Sequence, residues 1–351
     1  MMEQKRGLRV ITNSEMQCRR RCPREHFYAY ILGYRSLEDA AALVFGTRWH
    51  RGMEPWWLGR PVEEAIEAAL ADVDDPYEAA KFRVLLRGYD IRWRNETHFE
   101  DVVAVEREFR APLINPETGA ASRTYQRGGK LDVLHSRSFT EHKTTSDEIG
   151  FGSVYWRVLT LNSQVSTYYA GARSMGHEVD ECVYDVVRKP GLRPSQVPLR
   201  CEAGFKIVLD ANGERVYCKV TKKDVGPKPR ETADAEQGWV LQTRVETPEE
   251  FETRLMEEVA ANPDKYYQRG KVVRLEHEER EAALDVWQQA RTMREDELAG
   301  RHPKNSDACR RGGQAVCPFF LVCTGEAQLE DTSRFVKLDN VHPELSADAA
   351  E

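Results

Sequence analysis

The sequence predicts an α/β fold, a small central mixed β-sheet flanked by helices. Three observations carry that reading. Element signals run in the order helix, strand, hairpin, helix, strand, the pattern of an α/β core. Residues 129–145 place apolar and β-branched residues on either side of a polar turn. Toward the end, Thr247-Pro248-Glu249-Glu250 opens a helix with an N-cap, a proline at the first position and a glutamate three residues after the cap.

Taken in order, residues 14–32 read as a helix carrying Phe27, Tyr28 and Tyr30 and stopped near Gly33. A second helix is expected from about Asp39 to Leu58, followed by helical stretches over roughly 62–72 and 76–98. Val102–Pro112 alternates like a strand. The hairpin comes next, with His135-Ser136-Arg137-Ser138 as its turn, then a long helix over 153–175 and a strand over Cys182–Val187. Phe205–Leu209, Arg215–Val220 and Trp239–Val245 are β-like, and Lys222–Gln237, rich in charge and proline, reads as a mobile loop. The helix opened by Thr247 sets Phe251, Leu255 and Val259 on one face, and a last helix spans about 275–299, ending at Gly300. One domain over 1–336 and a loosely ordered tail over 337–351 are expected, with no internal repeat.

The chain of 351 residues is 40% hydrophobic and 31% charged, ordinary for a globular protein. No run approaches the ~18–20 apolar residues that span a bilayer, and Met1-Met2-Glu3-Gln4-Lys5-Arg6 is too charged for a secretory signal. A cytoplasmic address and no membrane partner are expected. A net charge of −7 does not resemble a protein that binds nucleic acid by bulk electrostatics, and it does not exclude one, since Arg19-Arg20-Arg21, Arg188-Lys189 and Arg310-Arg311 are candidates for a local basic groove. Eight cysteines in a reducing compartment argue against a disulfide framework. Cys182, Cys201 and Cys218 read as buried free thiols. No G-x-x-x-x-G-K-[ST] run occurs, so any motor activity belongs to a partner.

The chemistry concentrates in Gly129-Lys130-Leu131-Asp132 and, nine positions on, Glu141-His142-Lys143. With Ser136 and Arg137 as the turn, the antiparallel register sets Asp132 opposite Glu141. Two facing carboxylates repel unless a cation sits between them. Lys143 shares the face of Glu141 while His142 points away. The competing reading is a set of solvated charges on an edge hairpin. Two carboxylates offer hard oxygen ligands for Mg²⁺ or Mn²⁺.

Further motifs fall in a telling order: Cys22-Pro23 in the opening helix, Gly46-Thr47-Arg48-Trp49-His50, the two acidic motifs, Gln164-Val165-Ser166-Thr167-Tyr168, and Cys309, Cys317 and Cys323. Together they resemble the PD-(D/E)XK nuclease superfamily. Within it the pattern is similar to RecB-type exonuclease domains with an iron–sulfur cluster, including the AddB nuclease domain, CRISPR-adaptation (Cas-four) exonucleases and phage-encoded relatives. The likeness extends from about Ile11 to Cys323. This chain departs from many such members in carrying Glu141 in place of an aspartate, and in the wider C-x₇-C-x₅-C spacing of its last cysteines.

The resemblance implies a restriction-endonuclease-like core whose termini, about 11–60 and 275–325, are joined by a 4Fe–4S cluster on Cys22, Cys309, Cys317 and Cys323. Spacing alone leaves zinc open, since four thiolates suit either. It implies Asp132, Glu141 and Lys143 as catalytic residues, with metal held by His50, Asp132, Glu141 and the backbone carbonyl of His142. It further implies that Gln164 and Tyr168 touch DNA or order the site; Arg188 and Lys189, just after the strand over 182–187, read as a phosphate clamp. The expected function is a metal-dependent DNA exonuclease acting on single strands or duplex ends, in recombination, repair or phage DNA processing, with a helicase or recombination partner. The alternatives are a non-catalytic DNA-end-binding scaffold, a structure-specific endonuclease, and a nuclease acting on RNA.

Overall fold

The computed structural model describes residues 7–37, 41–159, 161–218, 228–312 and 315–345. Its strands in the main sheet are β1 (Arg9–Ile11), β2 (Val102–Ile114), β3 (Ala121–His135), β4 (Ser138–Thr145), β5 (Glu181–Arg188) and β6 (Tyr267–Val272). The helices that frame it are α1 (Asn13–Arg21), α2 (Ala41–Trp57), α3 (Val62–Leu70), α4 (Pro76–Trp93), α5 (Val154–Leu159), α6 (Ser163–Ser174), α7 (Pro248–Ala261) and α8 (Glu276–Ala299). The expected mixed α/β core is present.

Strand β3 organises the sheet. One of its edges is covered by antiparallel β2, with Phe109 opposite Gly129 and Val105 opposite Val133. The other edge is shared: β1 runs parallel to Tyr125–Arg127, and β4 pairs antiparallel at Val133 and Leu134. Residues 128–132 thus face a gap between β1 and β4. Beyond β4 the sheet continues through parallel β5 and antiparallel β6.

Helices cover both faces. On one, Trp49 and Trp56 of α2, Phe82 and Tyr89 of α4, Phe251 and Leu255 of α7 and Tyr267 of β6 form a continuous core. Each such side chain, fully removed from water, contributes on the order of 1.5–3 kcal/mol. On the other, α6 packs Tyr168 and Tyr169 against Phe109, Leu131 and Phe139. Phe109 lies in a slot between two glycines: a Cβ at Gly129 would stand 2.7 Å from its ring, and one at Gly171 2.6 Å.

Several elements differ from expectation for local reasons. The opening helix breaks at Cys22, whose φ of −158° and ψ of 113° are extended, because the residue before a proline is pushed out of the helical region. The helix expected over 153–175 is two helices, the second capped by the Asn162 side chain accepting from the Gln164 N–H. Helix α4 ends at Trp93 rather than 98. Of the β-like stretches, Val208–Leu209 pairs Val240–Leu241 and Thr243–Val245 pairs Gln196–Pro198, while 215–218 makes only isolated bridges. This region has little core, so Cys218 is exposed and Cys201 half-buried, and Cys182 alone of the three is a buried thiol. Residues 219–220 of that strand and 222–227 of the expected loop lie outside the described residues. The tail is docked as far as Leu345: Phe335–Lys337 pairs Tyr34–Ser36, and His342 and Leu345 are buried. Among the described residues no helix is long and apolar enough to cross a membrane.

Candidate metal centre

The gap on β3 is where the site forms. The β3–β4 ladder has the register read from the sequence, Val133 opposite Thr140, but it stops there. At the next position the Asp132 side chain replaces the backbone: its Oδ2 accepts the His142 N–H at 2.7 Å. The strands splay, and Asp132 and Glu141 are both buried between them.

Three side chains from three elements converge on the Asp132 side. Ligand atoms of His50 (α2), Glu106 (β2) and Asp132 (β3) all lie within 4.8 Å of one another. His50 Nδ1 stands 3.4 Å from Asp132 Oδ1 and 4.0 Å from Glu106 Oε1. Burial works against a charged His50 imidazole, but the Asp132 carboxylate outweighs it and holds the pKa above the usual value. Glu106 was not singled out in the sequence. It takes a φ of +53°, alone among the described non-glycine residues, in the middle of a strand. Such backbone strain clusters at functional sites, and here it occurs where the side chain meets Asp132. Burial and then Asp132 raise the Glu106 pKa, and Lys130 Nζ at 2.5 Å opposes the rise.

On the other side of the gap, Glu141 is 2% exposed. Its Oε1 accepts from Gln164 Nε2 at 2.7 Å and from Lys143 Nζ, while its Oε2 is buried with no hydrogen-bond partner. Burial and the nearby Asp132 push the Glu141 carboxyl up; Asp132 is held low by His50 against the cost of its own burial. For Lys143, burial disfavours the charge, but Glu141 and Asp132 outweigh it and keep the pKa above the ordinary lysine value. The sequence had left that protonation state open.

Gln164 also donates to Tyr168 Oη at 2.8 Å, so the i, i+4 pair forms a brace behind Glu141 rather than a generic surface contact. Tyr168 is buried against Phe109 and Phe139. The His142 ring is buried on the opposite face, its pKa lowered to about 4 by burial, above Asp185 and near Trp57. Asp185 is itself fixed by Tyr89 and by Arg269 Nε at 3.0 Å. Arg188 ends β5 opposite Thr145, and Lys189 lies over the Phe45 ring with its N–H on the Thr145 carbonyl.

Two buried acids, a lysine two residues on and a histidine–glutamate pair across a splayed hairpin agree with a family model that covers most of the chain, residues 11–324, described as the PD-(D/E)XK nuclease superfamily. The chain belongs to that superfamily. Members of that superfamily are nucleases that generally use Mg²⁺ or Mn²⁺. No curated protein matches the chain. Among solved structures, "Crystal structure of SSO0001" is similar at 14% identity and a TM-score of 0.22, over 54% of this chain and 65% of that one.

A second group of side chains lies at the junction of the termini. Cys22, Cys309, Cys317 and Cys323 line one cavity of about 240 Å³, together with Glu25 and Lys304. The helix break puts Cys22 there. Cys18, one turn earlier, is buried outside the cavity, its thiol pushed up to about 12 by burial. The surrounding chain is stitched across the termini: Asn305 Nδ2 donates to the Arg21 carbonyl at 2.8 Å, the Arg24 N–H to the Pro303 carbonyl at 3.1 Å, and Arg311 Nη2 pairs with Glu25 at 2.5 Å.

Proposed function

We propose that this nuclease is a metal-dependent DNA exonuclease of the RecB/AddB-like and Cas-four-like type, acting on single strands or duplex ends. Asp132, Glu141 and Lys143 are its catalytic residues. The observation that carries the reading is the buried Asp132–Glu141 pair, with Glu141 Oε2 left without a partner. A buried carboxylate oxygen in that state costs on the order of 1–3 kcal/mol unless something binds it. His50, Glu106 and Asp132 converge closely enough to hold a cation, and Glu141 and the His142 carbonyl are the remaining donors. The set is oxygen-rich with one imidazole, which suits Mg²⁺ and favours Mn²⁺.

A bound divalent ion supplies charge at the phosphate and acidifies water. The chain's own groups do the positioning. Gln164 and Tyr168 fix the Glu141 carboxylate. Lys143, charged and held by Glu141, reaches the scissile phosphate and offsets the negative charge that builds on it. Lys130 neutralises Glu106 from the far side. Arg188 and Lys189, beside the end of β4, are placed to take the next phosphate. Strand separation, where needed, falls to a helicase or recombination partner.

The cysteine cavity fits a 4Fe–4S cluster better than zinc. Four thiolates on one zinc, at ~2.3 Å each, lie ~3.8 Å apart. Among the described residues no three of these thiols lie within 4.8 Å of one another, yet all four line one cavity, and four thiolates are the ligand set of such a cluster. Held there, the cluster ties the two ends of a single domain.

The test is cleavage of end-labelled linear and covalently closed circular DNA with Mg²⁺, Mn²⁺ or EDTA. Metal-dependent loss of linear DNA with the circle spared supports an exonuclease. Cutting of the circle would make the protein an endonuclease, and no cutting in any metal would leave a binding protein.

A further inference from the structure

Arg127 is a buried cation without a counter-ion. On β3 it pairs with Ile11 of β1 on one side and Ala111 of β2 on the other, so its backbone is fixed inside the sheet. By alternation its side chain shares the face of Gly129 and Leu131, which α6 covers. Arg127 is 8% exposed. Its Nε is sealed off with no hydrogen-bond partner, and among the described residues no carboxylate pairs with the guanidinium. Burial lowers its pKa and nothing nearby raises it again. A guanidinium nevertheless stays charged, and a charge taken out of water without a counter-ion is costly.

The same side chain lines a cavity of about 430 Å³ between the end of β2, α6 and the first half of α8. Its size falls within the ~300–1,000 Å³ usual for ligand sites. The walls are aliphatic: Pro112 and Ile114 from β2, Ala170 from α6, and Ala282, Ala283 and Val286 from α8. The other two charges on its lining cancel, because Arg173 pairs with Glu279. What remains is one uncompensated positive charge over apolar walls. A ligand that answers it carries an oxyanion on an apolar body, since the guanidinium fork matches two oxygens of a carboxylate or a phosphate. A nucleic-acid strand fits less well. It is a polyanion, and the first turn of α8 carries Glu276, Glu278 and Glu279, the last of them on the cavity wall. The cavity is also separate from the metal centre, for Arg127 precedes Asp132 by five residues of strand, roughly 16 Å at ~3.3 Å each.

We infer that the cavity between β2, α6 and α8 is a binding site for a small organic oxyanion, a carboxylate or a phosphate ester, whose charged group pairs with Arg127 and whose apolar body lies against Ile114, Ala170 and Ala283. The site stands independently of the nuclease reading. Its ligand supplies the counter-ion that the fold withholds from Arg127, so the loaded protein is more stable than the empty one.

The test titrates the full chain with benzoate, phenyl phosphate and neutral benzyl alcohol in EDTA, which keeps metal out of the nuclease centre, and follows heat of binding and the unfolding midpoint. Arg127→Met removes the charge and keeps an unbranched side chain in the sheet. Ala283→Leu narrows the cavity from α8 and leaves Arg127 in place. The expected result is saturable binding of at least one oxyanion, one per chain, with a raised unfolding midpoint and no binding of the alcohol. The tighter of the two oxyanions identifies the class of the ligand. Arg127→Met should weaken that binding by roughly ten- to a hundredfold, the loss of one charge-assisted pair, and Ala283→Leu should weaken it in the same direction. Without ligand, Arg127→Met should unfold no earlier than the unaltered protein, because it buries no unpaired charge. Equal affinity in Arg127→Met, or no binding of either oxyanion by the unaltered protein, overturns the site. Displacement of the bound oxyanion by an oligothymidylate would make the cavity part of a nucleic-acid path and overturn the small-molecule assignment.

Discussion

Replacing His342 by glutamine should make the protein less stable at pH 6 and leave it nearly unchanged at pH 10. His342 comes from the docked tail and stands 3.1 Å from Glu15 Oε2 of α1, a carboxylate with no exposed surface. Burial opposes a charged imidazole there, but Glu15 and then Glu344 outweigh it and raise the pKa from 6.5 to about 9. Arg9 and His26 also face Glu15, whose own pKa is held at about 2 despite its burial. A folded-state pKa above the unfolded one contributes stability that is complete below pH 6.5 and disappears as pH rises through 9. At ~1.4 kcal/mol per pH unit the rise amounts to roughly 3 kcal/mol. Neither ring nitrogen is aligned for a hydrogen bond, which brings the expectation down to about 1–3 kcal/mol. Glutamine keeps the packing against Tyr30 and loses only the titration. Urea unfolding of both proteins at pH 6, 8 and 10 measures the difference at each pH. A difference that does not shrink between pH 6 and 10, or a variant more stable at pH 6, refutes the tail latch.

Three further outcomes are expected. Glu106→Ala should raise the Mn²⁺ concentration for half-maximal cleavage at least tenfold while the protein stays folded; an unchanged metal requirement would remove Glu106 from the ligand set. Gln164→Ala frees one bond to a carboxylate, worth about 1.5–3 kcal/mol, so cleavage should slow by roughly ten- to a hundredfold with DNA affinity intact; loss of affinity at unchanged turnover would make Gln164 a DNA contact instead. Protein purified without oxygen should contain about four irons per chain, and replacing any of Cys22, Cys309, Cys317 or Cys323, but not exposed Cys218, should release the iron and lower the unfolding midpoint; one zinc and no iron would refute the cluster.

Much of the centre was legible in the sequence because its chemistry is local. Asp132, Glu141 and Lys143 sit on one hairpin, whose turn fixes the register, and Gln164 and Tyr168 share a helix face by spacing alone. His50 was legible only through the motif around Gly46. Glu106 was not, because it lies in a strand whose alternation looks ordinary, and its role comes from a left-handed backbone and a cross-strand approach to Asp132 that no local pattern encodes. The short strand Arg9–Ile11 and the strand Tyr267–Val272 were missed for a related reason: each is defined by pairing with distant residues, Tyr125–Arg127 and Cys182–Val187. The docking of the tail depends on a buried charge at Glu15, which the polar residues 337–345 do not announce. The break at Cys22 was readable from Pro23, and it is what brings that thiol to Cys309, Cys317 and Cys323.

The central claim, that Asp132, Glu141 and Lys143 hydrolyse phosphodiesters, is tested most directly by the rate at which the purified protein and its Lys143→Ala variant degrade end-labelled single-stranded DNA in Mn²⁺. Lys143 is partly exposed and bonded to Glu141, so the variant should fold and bind DNA. The expected result is a rate lower by a factor of about 10²–10³, the usual cost of removing one group that stabilises transition-state charge. Degradation by the variant at the rate of the unaltered protein would contradict the account.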